Sequence, residues 1–301
     1  MSRLNPVEKS VSKKGHIRRL ATLTASDFDS SAFSELLLMN VGDAMPSEET
    51  AEILRSLMKG GVEVTFIHSL EVPQLAALID RFLDASFFLA PSADEDLDDL
   101  MDTLEDCYEF AARPFPIVAA DGSIEIRIVA SLNDKPAVLA AVQASFSAIC
   151  QVPDRCNALL TAVDEVLVNA IRHGSSAGAP NSSVFGLEPN SPLSKVQISF
   201  GARHANFYVS IRDSGGRLNR AEFTRSLQVT KLRHASEVVS MKPGSAGVGL
   251  LMTAANIDRL DVFLQSGVET VFRLVQSTKT SHHPMASEIC SVTVQSRGIH
   301  L

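Results

Sequence analysis

Strand-like and helix-like stretches alternate without a break from Ser34 to Ala112, and that alternation restricts the region to parallel βα units. Ser34–Val41 is a short apolar run bounded by Gly42 and Asp43, the pattern of a buried strand. Pro46 to Glu49 opens a helix with Ile53, Leu54, Leu57 and Met58 as its apolar stripe, and Gly60-Gly61 ends it. Val62–His68 is β-branched and aromatic and reads as a second strand. Val72–Ala85 reads as a second helix, with Leu75, Leu78, Ile79 and Phe82 at helical spacing. Phe87–Ala90 is a third strand stopped by Pro91, Asp94–Ala112 is a third, acidic helix, and Arg113 to Pro116 has the composition of a linker.

Beyond Gly122 the pattern changes. Ser123–Ala130 alternates as a strand, and Lys135–Cys150 and Asp154–Arg172 are two successive helices. Ser175–Ser194 is rich in Ser, Pro, Gly and Asn and reads as a long surface loop. Val196–Phe200 and Phe207–Arg212 are strands of a hairpin, Arg217–Ala246 is a long connection with some helical character, and Val248–Ile257 is helical. Leu260–Leu264 and Thr270–Leu274 are closing strands. The fold class expected is α+β, divided into a basic leader over 1–20, an acidic α/β domain with a parallel sheet over 21–118, a second domain over 122–277, and a polar tail over 278–301. Within that tail Ile289–Val294 has the pattern of one further strand.

The charge follows the same division. The net charge of -8 is made of +5 over 1–20, -16 over 21–118 and +3 over 119–301. An acidic first domain argues against nucleic-acid contact there, because phosphate binding needs clustered Lys and Arg. No apolar run reaches the roughly 18–20 residues that span a bilayer, and the polar, basic N-terminus lacks the apolar core of a secretory signal. Cys107, Cys150, Cys156 and Cys290 have no metal-type spacing, so free thiols in a reducing cytoplasm are expected.

Three later segments carry candidate chemistry. In Asp164–Gly174, Glu165, Asn169 and His173 are spaced i, i+4, i+8 and share one helical stripe, separate from the packing face of Leu159, Val163, Val166, Leu167 and Ala170. A polar stripe alone is ordinary on an amphipathic helix. In Ile211-Arg212-Asp213-Ser214-Gly215-Gly216 an Asp closes an apolar strand before two glycines, which alone is compatible with a plain turn. In Gly244–Met252 glycines run into an apolar helix, leaving backbone N–H groups at its positive end, where phosphate binds well.

Taken together and in this order, Glu-x-x-x-Asn-Ala-x-x-His-Gly, Asp-x-Gly-Gly and Gly-x-Gly-Leu resemble the N, G1 and G2 boxes of the GHKL (histidine-kinase-like) ATPase superfamily, over about half of the chain. The branch resembled is that of the anti-sigma-factor serine kinases of partner-switching systems, which share the compact strand–helix–helix start and an Asp some eight residues after the Gly-x-Gly-Leu stretch, here Asp258. The resemblance implies a two-layer α/β sandwich (the Bergerat fold) over 122–277 that binds ATP with Mg²⁺. It implies that Glu165 is the general base, that Asn169 ligates Mg²⁺, and that Asp213 selects the adenine amine with Gly215 giving the base room. Gly244, Gly247, Gly249 and Leu250 would line the phosphates, His173 would hold the adjoining loop at the nucleotide, and Thr270 lies on the strand that passes the adenine. Arg217 to Ala246 would be a mobile lid; Arg217 stands where the G1 box usually has a further glycine. The first domain weakly resembles part of a response-regulator receiver, but lacks the receiver's acidic pair, its strand-end Asp and its Lys, and is expected to be a non-phosphorylated regulatory or docking module, with a plain stabilising domain as the alternative.

Three functions follow from the resemblance. The first is a serine/threonine protein kinase that phosphorylates a regulatory protein partner, of the kind that answers to a sigma factor or its antagonist, in a Mg-ATP-dependent switch. The second is a non-catalytic module whose ATP-ordered lid changes partner affinity. The third, a histidine kinase, is disfavoured because no His lies between Arg113 and Asp154, where its phosphoacceptor helices would have to be. The resemblance also admits a homodimer, and implies neither direct nucleic-acid binding nor membrane attachment.

Overall fold

The computed structural model describes residues 17–19, 36–82, 84–90, 97–116, 124–174, 196–228, 248–278 and 290–297. The insertion read over Ser175–Ser194 and residues 229–246 of the expected lid lie outside the described residues.

In the first part of the chain, β1 (Ile17–Arg19), β2 (Leu36–Gly42), β3 (Glu63–His68) and β4 (Phe87–Leu89) pair in chain order, all parallel, as strand–helix alternation requires. β1 falls within the stretch expected as a leader. α1 (Glu48–Lys59) and α2 (Val72–Arg81) make the crossovers, and α3 (Leu97–Ala112) follows β4. The Ser47 side chain caps α1 by accepting from the Thr50 N–H at 3.2 Å, and Gly61, at φ +88°, lets the chain leave it. Receiver sheets double back around their first strand; here β2, β3 and β4 are laid down in sequence, so the receiver resemblance does not extend to strand order.

The second part supplies β5 (Glu125–Val129), α4 (Lys135–Ser147), α5 (Pro153–Gly174), β6 (Val196–Arg203), β7 (Asn206–Asp213), α6 (Arg220–Gln228), α7 (Val248–Ala254), β8 (Arg259–Gln265), β9 (Glu269–Ser277) and β10 (Ser291–Arg297). β5, β6, β7, β9 and β8 form an antiparallel series. β10, the strand read in the polar tail, lies between β4 and β8, antiparallel to the first and parallel to the second. One ten-stranded sheet of mixed direction results, in the order β1-β2-β3-β4-β10-β8-β9-β7-β6-β5.

Period-two alternation sorts the strand residues onto two faces. Phe66 of β3, Phe88 of β4, Val292 of β10, Leu260 and Val262 of β8, Leu274 of β9, Ile211 of β7 and Ile198 of β6 join one apolar cluster with α1, α2, α4, α5, α6 and α7. Phe87 and Leu89 of β4 point the other way, against Leu100, Leu104 and Cys107 of α3. Farther along α3, Asp106 meets Arg259 of β8 and Arg273 of β9. β10 obeys the same rule: Val292 and Val294 enter the large cluster, while the buried Thr293 hydroxyl donates to Cys107 Sγ at 3.4 Å.

Candidate functional site

The floor of the site is a pair of strand ends. Asp213 closes β7, and β9 places Thr270 directly opposite it. Both share the parity of the core-facing residues on their strands, Phe207, Val209 and Ile211 on β7 and Phe272 and Leu274 on β9, so both project to the face that α5 covers. Asp213 is buried, and its Oδ1 accepts the Gly215 N–H at 2.9 Å and the Gly216 N–H at 3.3 Å. These bonds turn the chain sharply away from the sheet and hold the carboxylate in one orientation. Thr270 is 1% exposed, and its Oγ1 has no hydrogen-bond partner among the described groups.

The backbone constraint of this turn falls on Gly216. Gly216 has φ +54°, and a Cβ there would run into the backbone of Gln265, Val268 and Glu269. Its carbonyl accepts the Gly267 N–H at 2.9 Å, so the Asp213 turn is buttoned onto the β8–β9 hairpin. The second glycine of the Gly215-Gly216 pair was the available signal; the hairpin that makes it necessary is distant in sequence.

The wall of the site is α5. Its apolar face, with Leu159, Val163, Val166 and Leu167 fully buried, packs on β6, β7 and β9. Glu165 and Asn169 flank that face one turn apart, half-buried, and Asn169 Nδ2 donates to Glu165 Oε1 at 3.0 Å. Only the amide nitrogen can donate to a carboxylate, so this bond turns the Asn169 oxygen away from Glu165. His173 lies in the last turn of α5 and its side chain is outside the described residues.

The Gly-x-Gly-Leu segment reaches the same place from the other side. Gly244 and Gly247 lie outside the described residues; Gly249 and Leu250 open α7, which packs on α5. Leu250 is buried in the main apolar cluster. A Cβ on Gly249 would overlap the Glu165 carboxylate where it now lies, so glycine lets that side chain rest against the backbone of α7 and any larger residue would displace it. Glu165 and Asn169 therefore stand together beside Gly249, and Asp213 and Thr270 stand together on the strands beneath α5. Arg217 is exposed after the Asp213 turn, and α6 begins just beyond it. Asp258, the acid that follows the glycine segment, accepts from Gln276 Nε2 at 2.8 Å and the Ser277 N–H at 2.7 Å, holding the end of β9 to the start of β8.

The residues present suit the groups that the resemblance implies. The orphaned, buried Thr270 hydroxyl beside Asp213 offers a polar contact at the position expected for adenine, and the Asn169 oxygen is a hard ligand of the kind Mg²⁺ prefers. Among the described residues no helix is long and apolar enough to cross a membrane.

No family model and no curated protein matches this chain. Among solved structures, the SiaB-SiaC complex from Pseudomonas aeruginosa is similar at a TM-score of 0.35 and 12% identity, over 59% of this chain and 99% of that chain. A likeness at that level carries no argument about fold or function, so the reading below rests on the residues of this chain.

Proposed function

We propose that residues 122–277 bind ATP with Mg²⁺ in the manner of a GHKL domain, and that the chain is a serine/threonine protein kinase that phosphorylates a regulatory protein in a partner switch. The observation that carries this reading is the meeting of Glu165, Asn169 and Gly249 where α5 crosses the start of α7, on the face toward which Asp213 and Thr270 project. The residues come from segments far apart in sequence, and each is of the type and in the order that the three boxes require.

In this reading Asp213 accepts the adenine exocyclic amine and the Thr270 hydroxyl completes the polar edge around it. Bound Mg²⁺ would neutralise phosphate charge, and the Asn169 oxygen would hold it. Glu165 takes the proton from the attacking hydroxyl, and its bond from Asn169 keeps the carboxylate aimed while the metal ligand is aimed the opposite way. The Glu165 carboxylate rests against the backbone at Gly249, which brings base and phosphate-binding backbone together.

Turnover of radiolabelled ATP tests the catalytic part. Glu165→Ala is expected to keep Mg-ATP binding and to lose on the order of 100-fold or more of slow phosphoryl release. Equal turnover by wild type and Glu165→Ala would remove Glu165 from the chemistry and leave an ATP-responsive binding module.

A further inference from the structure

Arg220, the first residue of α6, is partly buried, and its Nε is enclosed without a hydrogen-bond partner among the described residues. Its Nη2 donates to the Ala85 carbonyl at 2.6 Å and to the Phe82 carbonyl at 3.5 Å, and its Nη1 donates to the Val294 carbonyl at 3.3 Å. Among the described residues it forms no ion pair. Burial pulls its guanidinium down to about 10, partly offset by the charge of Asp84, so it remains a cation at neutral pH. Drawing a cation partly out of water onto three carbonyl dipoles, with the nearby charge of Asp84 as partial compensation, is costly. Attachment alone does not call for it, because Phe223 and Leu227 already bury α6 in the apolar cluster.

A planar fork can do what an apolar anchor cannot: it fixes direction. The Phe82 carbonyl belongs to the C-cap of α2, the negative end of that helix, and Ala85 lies in the turn leading to β4. Val294 is on β10. The guanidinium thus sets the start of α6 against the α2–β4 turn and the strand that joins the two parts of the sheet. On its other side, residues 214–219 lead directly back to the turn held by Asp213 and Gly216. That short connection is pinned at one end by the β8–β9 hairpin and at the other by Arg220.

We propose that Arg220 is a positioning residue for the nucleotide site, coupling the α2–β4 turn of the first half of the chain to the Asp213 turn, so that displacement of α2 changes ATP affinity. The proposal rests on the ATP-binding reading above and names a route by which that site is regulated. It gives the regulatory role expected of the first domain a physical route through the C-terminus of α2.

The test is calorimetric titration of Mg-ATP into the full chain, with circular dichroism to verify folding of each variant. Arg220→Met keeps the stem and removes the fork; it is expected to weaken ATP about tenfold, a typical coupling magnitude, with Arg220→Lys in between. Phe82→Leu disturbs the α2 C-terminus without touching the nucleotide residues, because Phe82 packs on Phe66 with ring centroids 4.7 Å apart. It is expected to shift ATP affinity when Arg220 is present and to leave it unchanged in the Arg220→Met background. A purely structural arginine would give the same Phe82→Leu shift in both backgrounds, and that result overturns the proposal. So does a wild-type affinity in folded Arg220→Met. Should Arg220→Met fail to fold, Phe82→Leu is read against Arg220→Lys: a smaller shift there supports the coupling and an undiminished one overturns it. Absence of ATP binding by the wild type would instead remove the nucleotide reading, and this proposal with it.

Discussion

The two faces of the ten-stranded sheet are held by different physics. On one, six helices share a single apolar cluster that runs from Phe66 and Leu78 to Val166, Leu250 and Ile198 without a break between the first and second parts of the chain. On the other, α3 starts apolar, with Leu100 and Leu104 over Phe87 and Leu89, turns ionic at Asp106, and ends with Phe110 packed on Phe263 and Val271. Asp106 receives Arg259 Nη2, and Arg273 Nη1 at 3.4 Å; Asp261 receives Arg273 Nε at 2.7 Å and Arg259 Nε at 3.2 Å. Arg273 also donates to the Asp106 carbonyl at 3.1 Å and stacks on Phe110 at 4.4 Å from the ring centroid. Burial alone would raise the Asp106 carboxyl, but Arg259 and Arg273 hold it below its ordinary range. An apolar cluster tolerates many arrangements of similar volume, whereas two carboxylates and two guanidinium forks are satisfied in very few. The helix face supplies the driving force, and the opposite face fixes where α3 lies across β8 and β9.

That contrast breaks most sharply under mutation. Arg273→Met leaves Arg259 alone to serve both Asp106 and Asp261, one buried negative charge in excess, and is expected to cost about 3–5 kcal/mol, read as a fall in the chemical-denaturation midpoint. Phe66→Ala on the helix face is expected to cost about the same, from lost burial and a cavity. The difference emerges in combination. Replacing all four charged residues by apolar ones of similar volume is expected to recover most of the loss, while a second truncation distant from Phe66 simply adds to the first. Additive losses on the ionic face would contradict the comparison.

Acid separates the faces in a different way. His68 lies on the helix side of β3, where burial pushes it down to about 4, while its Nδ1 accepts the Leu70 N–H at 3.1 Å. The unfolded chain takes up that proton near pH 6.5 and the folded chain only near 4. Between those values the unfolded state binds more protons, so stability falls as pH falls, by at most about 3 kcal/mol. Asp106 is depressed instead, so its stabilisation is present above the ordinary carboxylate range and is lost only at more acid pH. Denaturation midpoints measured between pH 7 and pH 4 should decline in wild type and stay flatter in His68→Phe.

Smaller effects sharpen the picture around the site and at the open end of the sheet. Gly249→Ala displaces the half-buried Glu165 carboxylate and should change stability by less than about 1 kcal/mol, with loss of Mg-ATP turnover as the more informative readout. Ile128→Thr, at a position 55% exposed on the edge strand β5, should change stability by less than about 0.5 kcal/mol.

Much of this architecture was legible from periodicity. β2, β3 and β4 follow from short apolar and β-branched runs, α5 from its helical spacing and the β8–β9 hairpin from its paired strand patterns, because burial imposes each pattern one element at a time; β1, within the expected leader, was not legible. β10 was only partly legible. Its Ser291-Val292-Thr293-Val294 alternation resembles a half-exposed strand, yet Ser291 and Thr293 are buried, Ser291 Oγ accepting the Ala90 N–H at 2.8 Å. Asp261 and Arg273 were visible as charges between apolar neighbours, but their partner Asp106 is more than 150 positions from Arg259 in sequence, and no local pattern announces it. At the site, the resemblance carried by the three motifs together, rather than any one of them, pointed to Glu165, Asn169, Asp213 and Gly249. The demand on Gly216 and the setting of Arg220 depend on segments that only the fold brings near.

The central claim is that Asp213 and its neighbours form an adenine nucleotide site. Calorimetric titration of ATP with Mg²⁺ into wild type and Asp213→Asn tests it most directly. The account predicts saturable binding to wild type that Asp213→Asn abolishes; no heat of binding to wild type at millimolar ATP would contradict it and leave a scaffold that works through protein contacts alone.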